Sequence, residues 1–177
     1  MIVRLSEADI KDAVKRINVL KDNIEVASQN AVERLVEKGF NLATTYNANA
    51  PQSGLKKARV TGKVTKSGHK GYVALVGDSA VYDEFGTGEQ GASNPHPMKG
   101  QFALNPYNSG PTIFYNEFAG RHQWKYYPMR GKPYFTNNGF TEGIPSGKQM
   151  YNTAKDLRAS KNEIVIREIE NAVKRFR

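Results

Sequence analysis

The sequence predicts an α+β chain with a large loop insertion. Three observations predict it. Apolar residues recur at helical spacing from Ile10 to Leu35. An alternating, strand-like pattern runs from Ala58 to Val76. A second helical pattern closes the chain from Met150 to Phe176. Nothing in the 177 residues repeats internally, and the length predicts a single domain over 1–177.

The first element is a long helix over 6–39. Ser6-Glu7-Ala8-Asp9 has the form of an N-cap followed by acids in the first turn. Ile10, Val14, Ile17, Leu20, Ile24, Ala27, Ala31 and Leu35 then follow in steps of three or four. They form one stripe, and Gly39 is the expected stop. Such a helix is about 45 Å long, more than a small domain spans, so it must project or lie along a neighbour. The stripe reads either as core or in part as a subunit interface. Asn47 to Gly54 is a loop by composition.

The second element, over 55–88, is a hairpin followed by a short helical turn. Ala58, Val60 and Val64 alternate with Arg59, Thr61, Lys63 and Thr65, the period-two pattern of a half-buried strand. Lys66-Ser67-Gly68-His69 is the turn. Tyr72 to Val76 returns, more apolar and so expected to be more central. Lys56, Lys57, Arg59, Lys63, Lys66 and Lys70 form a run of six cations without an acid. Two readings stand: a phosphate-facing or acid-facing patch, or edge-strand lysines that block edge-to-edge association.

Ala80 to Gly88 begins as an amphipathic turn with Val81, Tyr82 and Phe85 on one face. It stops at Gly86, where a positive φ is cheap only for glycine. Residues 89–130 form an extended, aromatic-rich region holding Phe102, Tyr107, Phe114, Tyr115, Phe118, Trp124, Tyr126 and Tyr127. So many rings in a loop imply burial in this chain or against another. Within it, Ile113 to Arg121 reads as a short helix and Gln123 to Pro128 as a strand.

Residues 131–177 return to regular structure. Pro145 to Tyr151 is a turn into a helix over Met150–Ala159. Asn162-Glu163 opens a second helical stretch with Ile166, Ile169, Ala172, Val173 and Phe176 on one face. Lys174, Arg175 and Arg177 suit its C-terminal end.

Composition narrows the function. The chain is basic, with a net charge of +9, and lean, with 38% hydrophobic residues. Basic balance favours polyanionic partners. No apolar run reaches the roughly 20 residues that cross a bilayer, so no membrane partner is expected. Cysteine is absent, which removes thiolate nucleophiles and Cys-ligated metals together. His69, His96 and His122 show no metal-ligand spacing, and a metal site would need Asp78, Asp83 or Glu84 to converge with one of them. Asp83 and Glu84 are adjacent and so diverge; a salt bridge or an N–H contact is the expected role. Gly86-x-Gly88 lacks the Lys-Ser/Thr of a phosphate loop, and no serine elbow is present. No cofactor, no metal and no enzymatic activity are expected.

Three ordered stretches carry a resemblance. They are the long polar N-terminal helix; Tyr72-Val73-Ala74 through Val81-Tyr82-Asp83-Glu84-Phe85-Gly86-Thr87-Gly88; and Trp124-Lys125-Tyr126-Tyr127 with Gly143-Ile144-Pro145-Ser146 and Met150-Tyr151-Asn152-Thr153-Ala154. Together they resemble the tail-completion, or neck, proteins that join head to tail in long-tailed bacteriophages. The segment Gly91–His122 is expanded relative to that pattern. The resemblance implies a curved antiparallel sheet crossed by helices. It marks Tyr82, Glu84, Phe85, Gly86, Thr87, Gly88, Trp124, Tyr126, Tyr127, Pro145, Met150, Asn152 and Ala154 as structural or interface positions. It also implies a self-assembled ring, typically a hexamer, located in the virion neck and assembled in the host cytoplasm. Its partners would be head connector or adaptor proteins, tail terminator or tail tube proteins, and genomic DNA in the bore. The alternative from another class is a non-specific nucleic-acid-binding protein. A hydrolase using Asp83, Glu84 and a histidine is the third.

Overall fold

The computed structural model describes residues 6–51, 58–77, 79–86, 91, 93–98 and 145–176 in full, and 113–116, 121–125 and 140–141 as backbone. The order is α1 (Glu7–Asn49), β1 (Arg59–Val64), β2 (Gly71–Val76), α2 (Ala80–Phe85), β3 (Ile113–Asn116), β4 (Arg121–Lys125), β5 (Phe140–Thr141) and α3 (Gln149–Phe176). The chain is α+β, as the sequence predicts. The strands form a two-stranded sheet, β1-β2, and a three-stranded sheet, β3-β4-β5. β2, expected to be the more central strand, therefore has only β1 beside it among the described residues.

Helix α1 starts where its cap dictates. Asp9 N–H donates to Ser6 Oγ at 3.2 Å, while Ser6 N–H and Ser6 Oγ–H donate to Asp9 Oδ2 at 2.9 and 2.6 Å. This is a reciprocal capping box with Asp in the third helical position. The two bonds hold the Asp9 carboxyl below its ordinary value of 3.8, the side-chain bond from Ser6 contributing most.

The helix does not stop at Gly39. It runs 43 residues, about 65 Å. Gly39 is there for close approach: a Cβ at that position would lie 2.8 Å from Leu157 Cδ1 and 3.1 Å from Val73 Cγ2. A glycine read as punctuation is thus a contact point where α3 and β2 meet α1.

The hairpin is as predicted. Thr65 N–H donates to Lys70 O at 2.8 Å and Gly68 N–H to Thr65 O at 2.9 Å, closing the turn. Gly68 adopts φ 73°. The hairpin lies along α1 through its glycines: a side chain at Gly62 would press on Val36 and Phe40, one at Gly71 on Val32 and Val36, and one at Gly68 on Gln29. Gln29 Nε2 donates to Ser67 O at 3.4 Å at the tip.

Two further expectations are corrected. Ile113–Asn116 is a strand, antiparallel to β4 with Ile113 opposite Trp124 and Asn116 opposite Arg121. Its β-branched and aromatic residues suit a strand better than a short helix. The C-terminal region is one helix of 28 residues, not two. Asn162-Glu163 is a poor start signal inside a continuous stripe, and the Ser160 hydroxyl donates back to Asp156 O at 3.0 Å without breaking the helix.

The described chain divides into two compact units. One contains 1–41, 62–73 and 154–177; the other contains 42–61 and 74–153. Both long helices and both hairpin strands contribute to each. In the first unit the buried positions along the helix pair are small, Ala27, Ala31 and Ala172. Small residues let α1 and α3 run close together. The buried Glu168 faces the Arg34 guanidinium as an ion pair, and Arg16 sits over the Phe176 ring, 5.7 Å from its centroid. In the second unit the largest fully buried side chains among the described residues are polar: Gln149, Thr153 and Ser79.

Candidate functional site

The feature that organises the second unit is Glu84. Helix α2 ends at Gly86, whose φ of 72° and ψ of 173° turn the chain out as the glycine requires. The apolar face read from Val81, Tyr82 and Phe85 is only partly inward: Val81 is exposed, whereas Asp83 and Glu84 are buried. The burial of Glu84 is matched by bare N–H groups at the start of α3.

At the start of α3 the N-cap position is held by Lys148, whose carbonyl accepts the first bond of the helix from Asn152 N–H at 2.9 Å. Lysine has no acceptor to offer the free N–H groups of the first turn. Glu84 supplies one from sixty-odd residues away. Its Oε2 accepts from Met150 N–H at 2.7 Å and its Oε1 from Tyr151 N–H at 2.9 Å. These are the second and third helical residues, the pair a local Ser or Asp cap would satisfy. The carboxylate also faces the positive end of the helix dipole. The Gln149 amide has only acceptors on one side, Glu84 Oε2 and Asp83 O, each 3.1 Å away, so its nitrogen faces them.

The backbone of α2 is tied to the same turn. Ser146 Oγ–H donates to Glu84 O at 2.7 Å. Gly147 N–H donates to Asp83 O at 2.9 Å and Lys148 N–H to Glu84 O at 3.1 Å. Lys148 adopts φ 53° to make this approach, and its Nζ donates to Asn94 Oδ1 at 2.6 Å.

His96 completes the arrangement. Its Nδ1 accepts from Met98 N–H at 3.1 Å, so Nε2 carries the proton and donates to Glu84 Oε1 at 3.0 Å. The ring lies between Phe85, centroid 4.3 Å away, and Tyr151, 5.4 Å away and edge-on. Glu84 is 7% exposed and His96 4%. Both carboxylate oxygens and both ring nitrogens are engaged, so the pair acts as a lock between α2 and α3.

The motif residues fall into three groups. Glu84, Phe85 and Gly86 meet Met150 and the Pro145–Lys148 turn. Asn152 bonds into that turn through its backbone, while Tyr82, Pro145 and Ala154 are half-buried. Trp124 lies in β4 with Ile113 and Thr141 as register partners. Thr87, Gly88, Tyr126 and Tyr127 lie outside the described residues. Of the cationic run, Arg59, Lys63, Lys66 and Lys70 are exposed, and Lys56 and Lys57 lie outside the described residues.

The sequence reading missed His96 as a partner of Glu84. Nothing in the spacing predicted which acid and histidine would converge; Glu84 and His96 do. The available signal was the buried-acid requirement of an α3 start that lacks its own cap. Among the described residues, no three His, Cys, Asp or Glu side chains gather as a metal site. No helix there is long and apolar enough to cross a membrane. Asp83 Oδ1 and Asn47 Oδ1 are buried with no hydrogen-bond partner among the described residues, although Asn47 Nδ2 donates to Ala58 O at 2.8 Å.

The fold and site together define an α+β protein whose second long helix is capped from a distance. Comparison with known proteins extends this no further: no family model, no curated protein and no solved structure matches the chain.

Proposed function

We propose that this chain is a structural protein of the bacteriophage neck. In this reading it assembles with copies of itself into a ring, a hexamer by the resemblance, that joins the head connector to the tail and leaves a bore for DNA. One observation carries the reading. Among the described residues the fully buried hydrophobic positions are alanines, while Ile10, Val14, Ile17, Ile24, Ile166, Ile169 and Val173 are exposed. Exposed isoleucine and valine stripes beside a core of buried alanines are suited to burial by neighbours. Two further points support it. The stretches that carry the resemblance, Val81–Gly86 and Pro145–Ala154, are joined by the Glu84 lock. The Glu84–His96 pair has every polar atom engaged, which suits holding a shape better than turning over a substrate. In this reading the protein works in the virion after assembly in the host cytoplasm, next to adaptor and tail terminator or tail tube proteins.

The test is electron microscopy of particles assembled without this protein by the phage that encodes it. Filled heads and free tails that fail to join are expected. Joined, infectious particles would remove the proposal.

A second reading is non-specific binding to nucleic acid. It rests on Arg59, Lys63, Lys66 and Lys70, all exposed on one hairpin. Contacts of this kind are strongest at low salt. A gel shift that shows no complex at low ionic strength excludes it.

A further inference from the structure

The β1–β2 hairpin has one face seated and one face open. Side chains at Gly62 and Gly71 would press on α1, and Val73 lies against Gly39 of α1. Strand alternation therefore turns Lys63 and Tyr72 to the other face. The turn is closed by Thr65 and Lys70, between strands of equal length that end at Val64 and start at Gly71. This sets Lys63 directly across from Tyr72. Lys70 precedes Tyr72 by two residues, about 7 Å away on the same face, and Lys66 lies in the turn. All four side chains are exposed, Tyr72 to 53%. None of the three ammonium groups enters an ion pair among the described residues. The carboxylate that an ion pair brings to this hairpin is Glu25, which faces His69 at 3.8 Å. The sequence itself holds no acid between Leu55 and Gly77.

We propose that this face takes single-stranded nucleic acid, with a base stacked on the Tyr72 ring and the flanking phosphates on Lys63, Lys66 and Lys70. This rests on the nucleic-acid reading above and names its site and the class of strand it holds. Charge selects a polyanion over cover by this chain. A second copy brings a net charge of +9. The insertion over 89–144 holds Glu89, Glu117 and Glu142 against five Lys and Arg. Neither supplies the counter-charge that three unpaired ammonium groups attract. The ring selects the class of polyanion. Lysines that only keep strand edges apart need no aromatic among them. A ring set among cations on an open sheet face offers a platform on which any base can stack. It selects a single strand, because the bases of a duplex are already stacked on their neighbours. These contacts read no base edge, so binding is sequence-tolerant.

The test is fluorescence anisotropy of the full chain with a labelled oligothymidylate of about ten nucleotides, an oligouridylate of the same length and a duplex of that length, as salt is raised. The variants are Tyr72→Ala, Tyr72→Phe and Lys63→Gln, all at exposed positions and each checked for helix content. Wild type is expected to bind the single strands about tenfold more weakly for each threefold rise in salt, the dependence that three phosphate contacts give. Tyr72→Ala is expected to bind them about tenfold or more weakly than wild type, and the duplex as wild type does. Tyr72→Phe keeps the ring and should stay within about twofold of wild type. Lys63→Gln should weaken binding to both and lower the salt dependence by about a third. The ring and the ammonium groups touch parts common to DNA and RNA; the thymidylate and uridylate arms tell the two apart, and a preference for either supports the site. Three results overturn the proposal. Tyr72→Ala could bind single strands like wild type. It could lose as much on the duplex as on single strands. Or poly-glutamate could displace the label as well as oligothymidylate does, which would make the face a dock for an acidic protein. If Tyr72→Ala has no effect but binding still falls with salt and with Lys63→Gln, the stacking site is wrong and the nucleic-acid reading survives. If no complex forms at low salt, both fall.

Discussion

Replacing Glu84 with glutamine removes a charge while keeping nearly the same shape. The carboxylate accepts bonds from Met150 N–H, Tyr151 N–H and His96 Nε2–H. Glutamine keeps one acceptor oxygen and turns its amide nitrogen toward a donor. One buried N–H of the first turn of α3 is then unsatisfied, at a cost of about 1–3 kcal/mol. The remaining bonds lose their charge assistance, and the helix dipole loses a buried anion, worth up to about 2 kcal/mol. These terms overlap, so the net expectation is a loss of about 3 kcal/mol. For a chain of this size that lowers the melting temperature by roughly 10 °C. The assay is urea unfolding followed by circular dichroism, with Glu163→Gln as the control. Glu163 pairs with Arg167 on the exposed face of α3, and its loss is expected to cost about 0.5 kcal/mol or less. Hydrogen exchange adds a local readout: the amides of Met150 and Tyr151 should lose protection in Glu84→Gln. A loss below about 1 kcal/mol, with those amides still protected, would show that the carboxylate does not cap α3 and would refute the reasoning.

Three further outcomes follow from other contacts. Gly147→Ala should destabilise by about 2–3 kcal/mol in the same urea assay, because its Cβ would lie 2.5 Å from Asp83 O, a backbone atom that cannot move aside. Glu168 is buried opposite an Arg34 side chain that is 60% exposed, and its Oε1 has no aligned hydrogen bond. Glu168→Leu is therefore expected to be neutral or to stabilise by about 1 kcal/mol, whereas Arg34→Met, which strands the buried carboxylate, should cost about 1–3 kcal/mol; the opposite order would sink the argument. The Asp9 carboxyl titrates below its ordinary value of 3.8 when α1 is capped. Its contribution is thus complete above that value and disappears as pH falls through the lowered one. Acid should fray the first turn of α1, read as loss of amide protection near Asp9, and Asp9→Asn should show the frayed state at neutral pH.

Local patterns foretold the elements, and they did so where neighbours in sequence are also neighbours in space. The Ser6–Asp9 cap, the alternation through Val60 and Val64, the turn at Gly68 and the stop at Gly86 each depend on residues a few positions apart. The helical character of both ends of the chain was legible for the same reason, in periodicity that survives solvent exposure, although the C-terminal helix was read as two stretches. What failed were the expected stop of α1 and the identity of contacts between distant residues. Gly39 looked like an end because a glycine that admits Leu157 and Val73 has the same letter as one that ends a helix. The stripe from Ile10 to Leu35 looked continuous. Tertiary structure divided it, burying the alanines under α3 and leaving the isoleucines open beyond the tip of the hairpin. Asp83 and Glu84 read as acids for a salt bridge or an N–H contact, but the sequence named no partner for either. Only folding brings Glu84 to the bare amides of Met150 and Tyr151 and makes its burial favourable. A periodic pattern states which residues share a face, and only the folded chain determines what lies against that face.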